Sequence, residues 1–172
     1  MNTLHCLSRC FVLSAGLLVG ASALAETTHY AGVGVYNGLV NANYELSFDT
    51  SSIVVRLGEY LQEANDPAIN LSYRRYLNAE KNVSDFFLGG VVGHIESERI
   101  FNKDFNRLGA GIEVGYQWVS EFTKITASMG VGAAESVEHT VNVGTAESPS
   151  YLSKELEMEP GPMAGVSIAL KL

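Results

Sequence analysis

The chain has 172 residues, 47% of them hydrophobic, with 11 Lys and Arg against 19 Asp and Glu and a formal net charge of −8. That length fits one domain behind a leader, and the acidic balance excludes a nucleic-acid binder, which needs clustered Lys and Arg. No window after residue 25 holds 18 consecutive apolar residues, which argues against a transmembrane helix.

The chain opens with a secretory pattern. Arg9 is the only charge in residues 1–25, residues 11–24 are apolar and small, and Ala23-Leu24-Ala25 has the small-x-small form of a signal-peptidase site. Residues 1–25 are therefore expected to be a cleaved signal peptide, leaving 172 − 25 = 147 residues with a net charge of 10 − 19 = −9. Cys6 and Cys10 leave with the leader, and Arg9 stands where a lipoprotein signal would carry a small residue. The remaining 26–172 have no cysteine and no thiolate or disulfide chemistry.

Alternation of apolar and polar residues then marks eight strands, at 29–36, 42–48, 52–61, 68–77, 85–96, 106–120, 122–133 and 163–172. The first reads HYAGVGVY, and the third sets Ile53, Val55 and Leu57 on one face. The fourth sets Ile69, Leu71 and Tyr73 against Asn70, Ser72 and Arg74. The sixth is the clearest. Leu108, Ala110, Ile112, Val114, Tyr116 and Trp118 occupy one face, and Arg107, Gly109, Gly111, Glu113, Gly115 and Gln117 the other. A period of two places these sets on opposite sides of a sheet. The apolar face, ending in two aromatics, suits lipid with an interfacial girdle, and the small polar face suits a narrow closed barrel. The seventh strand repeats the pattern with Ile125, Ala127, Met129 and Val131 against Thr126, Ser128, Gly130 and Gly132. The eighth turns Val166, Ile168, Leu170 and Leu172 outward. The fold class expected is all-β: an eight-stranded antiparallel transmembrane β-barrel, with Ile112, Val114, Tyr116, Trp118, Ile168 and Leu170 facing lipid.

In such a barrel the links alternate between short periplasmic turns and longer extracellular loops. The links at 49–51, 78–84 and 121 are short, and those at 97–105 and 134–162 are long. The inward face collects Glu45, Arg56, Arg74, Glu113 and Lys124, with His94 joining them if the fifth strand keeps phase. Glu45 and Arg56 lie nearly equidistant from their shared turn and are expected to face each other. An eight-stranded lumen is mostly filled by side chains, and buried charges need partners. A structural plug of ion pairs is therefore the reading preferred over a selective pore or a charge relay.

Three segments carry a resemblance. They are Leu71-Ser72-Tyr73-Arg74-Arg75-Tyr76-Leu77, Gly111-Ile112-Glu113-Val114-Gly115-Tyr116-Gln117-Trp118, and Gly161-Pro162 before an alternating C-terminal strand. The chain resembles the small bacterial outer-membrane β-barrel superfamily of OmpA-like and OmpX-like barrels, the outer membrane protein beta-barrel domain. It departs from that pattern at Leu172, where Phe or another aromatic is usual. The resemblance implies a Gram-negative cell envelope, insertion by the barrel-assembly machinery, and contact with outer-membrane lipid and lipopolysaccharide. It also implies anchoring, adhesion or envelope integrity, and in some relatives a lipid-modifying enzyme.

Lipid A deacylases of this size use a His-x-Ser pair, which this chain lacks. Ser136 and His139 are three apart, which in a strand sets them on opposite faces and spoils contact between nucleophile and base. The enzyme reading is the alternative to a non-enzymatic barrel, a small pore is another, and a lipocalin-like soluble barrel is a third. The last is opposed by the glycine- and charge-rich alternate face, a poor soluble core. Glycines at 89, 90 and 93 precede no helix and no Lys-Ser/Thr pair, so barrel packing accounts for them better than a phosphate loop. Glu135, Glu138, Glu147, Glu155, Glu157 and Glu159 lack the spacing of a calcium loop and read as a solvated acidic stretch. No cofactor and no metal is expected. A surface ligand, if any, is expected at the longest loop, residues 134–161, from Ala134 to Gly161.

Overall fold

The computed structural model describes residues 27–61, 67–78, 83–100, 103–142 and 151–172. The expected signal peptide lies outside them. Ten strands are present among the described residues: β1 Thr27–Tyr36, β2 Leu39–Phe48, β3 Ser51–Tyr60, β4 Ala68–Tyr76, β5 Asp85–Ile100, β6 Lys103–Val119, β7 Thr123–Ala134, β8 Val137–Asn142, β9 Tyr151–Leu156 and β10 Pro160–Lys171. Eight of them close a barrel in the order β1-β10-β7-β6-β5-β4-β3-β2, every pair antiparallel. Closure is made by β1 on β10, from Tyr30 opposite Lys171 to Tyr36 opposite Gly165. With no free edge, every strand of the barrel satisfies its backbone on both sides.

The structure corrects the sequence reading at four places. β2 begins at Leu39, three residues before the expected 42, because Asn37 and Gly38 form a two-residue turn. Both have positive φ, 48° and 82°, the signature of the Asn-Gly hairpin turn whose twist matches its strands. At the next turn Phe48 pairs with Ser51, so Glu45 stands opposite Val54 and Arg56 opposite Asn43. The expected Glu45–Arg56 facing pair therefore fails by two residues, since the turn is one residue shorter than supposed. β5 and β6 run on to Ile100 and Lys103 as a long hairpin where a loop at 97–105 was expected. The long loop after β7 likewise contains the β8–β9 hairpin, which forms a separate two-stranded sheet.

A β-bulge interrupts β5 between His94 and Glu96. It re-aims the strand: Ile95 turns into the barrel at 3% exposure, while His94 sits with the outward set opposite Leu108. The expectation of His94 in the lumen fails for that reason. The carbonyls freed at the bulge are taken by side chains, with Tyr60 Oη donating to His94 O at 2.9 Å and Asn37 Nδ2 to Ile95 O at 2.7 Å.

The two faces of the wall differ in kind. Large apolar residues of all eight barrel strands point outward and are exposed, among them Val33, Tyr44, Leu57, Ile69, Leu88, Ile112, Val114, Met129, Ile168 and Leu170. Near the end that carries the chain termini, Phe86, Tyr116 and Trp118 pack edge to face at 4.7 and 4.9 Å, which leaves Tyr116 half-buried. The inward face is polar, with a small apolar cluster of Tyr36, Val91, Ile95, Ala134 and Met163 toward the other end.

Candidate functional site

Inward-pointing positions of β2, β3, β4, β6 and β7 bring Glu45, Arg56, Arg74, Glu113 and Lys124 into the barrel, each no more than 4% exposed. They form two clusters. Lys124 Nζ lies 2.7 Å from Glu45 Oε1, which also accepts from Tyr76 Oη at 2.9 Å, and Tyr76 Oη lies 2.9 Å from Ser52 Oγ. Arg74 Nε donates to Glu113 Oε1 at 2.9 Å, and Arg56 Nη2 approaches the same oxygen at 3.8 Å. Arg56 Nη1 donates to Asn70 Oδ1 at 3.0 Å and Ser72 Oγ at 2.7 Å. Each cation also lies over an aromatic ring: Arg56 over Tyr36 at 4.2 Å, Arg74 over Phe87 at 4.4 Å and Lys124 over Tyr30 at 4.5 Å.

The aromatic members were not among the expected site residues. Tyr30 and Tyr36 fall in phase with Gly32 and Gly34 on β1, opposite the outward Val33 and Val35, and that phase was the signal for them. The rings fit because facing strands carry small residues. A Cβ on Gly165 would lie 2.5 Å from the Tyr36 ring, and one on Gly89 would lie 3.2 Å from both Arg74 Cγ and Glu113 Cγ. Glycine at these positions makes room for the ring and for the Arg74–Glu113 pair.

Arg107 was also missed as a site residue. It is 4% exposed, inward-facing on β6 beyond the central clusters. Its Nη1 donates to Glu96 Oε2 at 2.8 Å, its Nε to Glu135 O at 2.9 Å and its Nη2 to Glu157 O at 2.8 Å. Residues 135 and 157 flank the β8–β9 hairpin, so one guanidinium holds both of its roots to the barrel rim.

These geometries brace a barrel. Oppositely charged groups on β2 and β7, and on β4 and β6, are joined across the lumen rather than along one strand pair. Among the described residues, no group of three or more His, Asp or Glu side chains is placed to hold a metal ion. The imidazole of His29 meets the Tyr44 hydroxyl, and His94 Nδ1 accepts from the Ile69 amide at 3.1 Å. The side chain of His139 and all of Glu147 lie outside the described groups.

The chain is a closed eight-stranded antiparallel barrel. No family model and no curated protein matches it. Among solved structures it is similar to the N-terminal β-barrel domain of Pseudomonas aeruginosa OprF, with 11% identity, 85% of this chain and 96% of that chain covered, and a TM-score of 0.47. The fold assignment rests on the strand pairing itself, not on that likeness.

Proposed function

We propose that the chain is a non-enzymatic integral protein of the Gram-negative outer membrane, with a lumen plugged by its own side chains. It serves envelope integrity or surface interaction through its extracellular loops. The observation that carries this reading is the inside-out distribution of polarity. Glu45, Arg56, Arg74, Glu113 and Lys124 are buried in the barrel, while Val33, Leu57, Ile112, Val114, Ile168 and Leu170 are exposed around its circumference. An apolar surface continuous around a barrel far exceeds what a soluble monomer exposes, and lipid is the solvent that suits it. Barrel strands of 9 to 17 residues match the span of about 9–11 residues that a tilted membrane strand needs. Phe86, Tyr116 and Trp118 sit where an interfacial girdle would lie on the periplasmic side.

On this reading the partners are outer-membrane lipid, lipopolysaccharide and the assembly machinery, with any surface ligand meeting residues 134–161. The roles of His29 and His94 as local hydrogen-bond partners support the non-enzymatic assignment. Fractionation followed by electrophoresis with and without boiling tests the proposal. The protein should sediment with outer membrane and migrate differently after heating. A protein recovered in the periplasmic fraction, with one mobility, would refute it.

A further inference from the structure

The two charge clusters do not balance. Three buried cations, Arg56, Arg74 and Lys124, face two buried carboxylates, Glu45 and Glu113. Lys124 is matched by Glu45 at 2.7 Å, and Arg74 by Glu113 at 2.9 Å. Arg56 has only the 3.8 Å approach to an oxygen already taken, besides two neutral acceptors and the Tyr36 ring. The remaining buried charge of this kind, Arg107, has its own partner in Glu96. An uncompensated charge out of water is costly unless a counter-charge reaches it.

Beside Arg56 lies a cavity of about 10 Å³, lined by both guanidinium side chains, Arg56 and Arg74. The other polar lining groups are Tyr36, Asn41, Thr126, Ser128 and Ser167, and neither Glu45 nor Glu113 is among them. The surplus positive charge thus borders a chamber that contains donors and no carboxylate. Its size admits a single water-sized species, which excludes a phosphate ester or a carboxylic-acid metabolite.

We infer that this cavity is a binding site for one monatomic anion of the halide class, held between Arg56 and Arg74 with hydroxyl donors from Thr126, Ser128 and Ser167. The ion neutralises the third cation and ties β3 and β4 to β7 and β10 across the lumen, where no side-chain ion pair joins them. Arg56 and Arg74 supply the charge, and the amide of Asn41 and the Tyr36 hydroxyl complete the shell. The inference depends on the barrel interior alone and stands apart from the role of the loops.

The probe is bromide. The full chain, refolded in detergent and crystallised from sodium bromide, should show one anomalous peak in this cavity. In solution at fixed sodium concentration, the unfolding midpoint should rise saturably as gluconate is replaced by chloride or bromide. Arg56→Met leaves two cations against two carboxylates, so its midpoint should no longer respond to the halide. No bromide peak in the unmodified protein would overturn the inference, whether or not Arg56→Met folds. So would a midpoint that is equal in gluconate and halide, or a halide response that persists undiminished in Arg56→Met, since that is a general salt effect.

Discussion

Glu113 serves two guanidiniums through one oxygen, Oε1, at 2.9 Å from Arg74 and 3.8 Å from Arg56. With 1% of its surface exposed, it has little water to share that load. Removing one member of such a pair leaves a buried charge unmet, at a cost of about 3–5 kcal/mol. Glu113→Gln should therefore lower the unfolding free energy by that amount in a urea titration of the detergent-refolded protein. Replacing both partners, Arg74→Met with Glu113→Met, should cost less than the two single changes added together, because residues in one network couple. Strict additivity would show that the 2.9 Å contact contributes nothing to stability. The residues involved were legible as inward-facing from their strands' alternation alone. Their pairing was not. Lys124 on β7 meets Glu45 on β2 across the lumen, and a period of two specifies a face but not which strand lies opposite.

At the level of the strand, β6 shows what makes a sequence readable. Its apolar and small residues alternate without a fault from Arg107 to Trp118, and Ile112, Val114 and Trp118 are each at least half exposed on the outer wall. Val114→Arg on that wall should cost about 2–4 kcal/mol near the bilayer midplane or block insertion. Spin labels at Ile112 and Val114 should report lipid, and labels that report water would refute the membrane reading. Where the structure departed from expectation, the alternation was broken or shared by both faces. Leu39 and Val40 are adjacent apolar residues, so the start of β2 was signalled only by the Asn37-Gly38 turn. Beyond His94 a bulge shifts the phase, and Glu96 and Arg107 pair inward where a loop had been supposed. In the segment after β7 the weak alternation of Val137 and Val141 facing Leu156 and Leu152 was obscured by the acidic residues around it. A lone two-stranded hairpin is marginal by itself, and Arg107 fixes both its roots. Replacing residues 137–156 with a short Gly-Ser linker should then leave the barrel and its heat-dependent mobility intact while abolishing surface binding. Loss of folding would make the hairpin part of the barrel's stability, and unchanged cell binding would remove it from function.

For the whole molecule, the decisive property is that the wall and the lumen are both committed. The outer wall presents apolar side chains on every strand, and the inner wall is bridged from β2 to β7 and from β4 to β6 by ion pairs. Tyr30, Tyr36, Tyr76 and Phe87 fill the space beside those pairs, each at 7% exposure or less. Eight strands enclose an interior about wide enough for side chains to fill, and the cavity between Arg56 and Arg74 is only about 10 Å³. A hydrated ion crossing this lumen would have to part Lys124 from Glu45 and Arg74 from Glu113 in turn, exposing buried charges at each step. Purified protein in planar bilayers should accordingly show no steady conductance in molar salt. The double substitution Glu45→Ala with Lys124→Ala removes one bridge without leaving a charge of either sign behind, and should admit brief openings if the bridges are the obstruction. A stable, porin-sized conductance from the unaltered protein would show instead that the lumen is open in a membrane, and would make this barrel a pore.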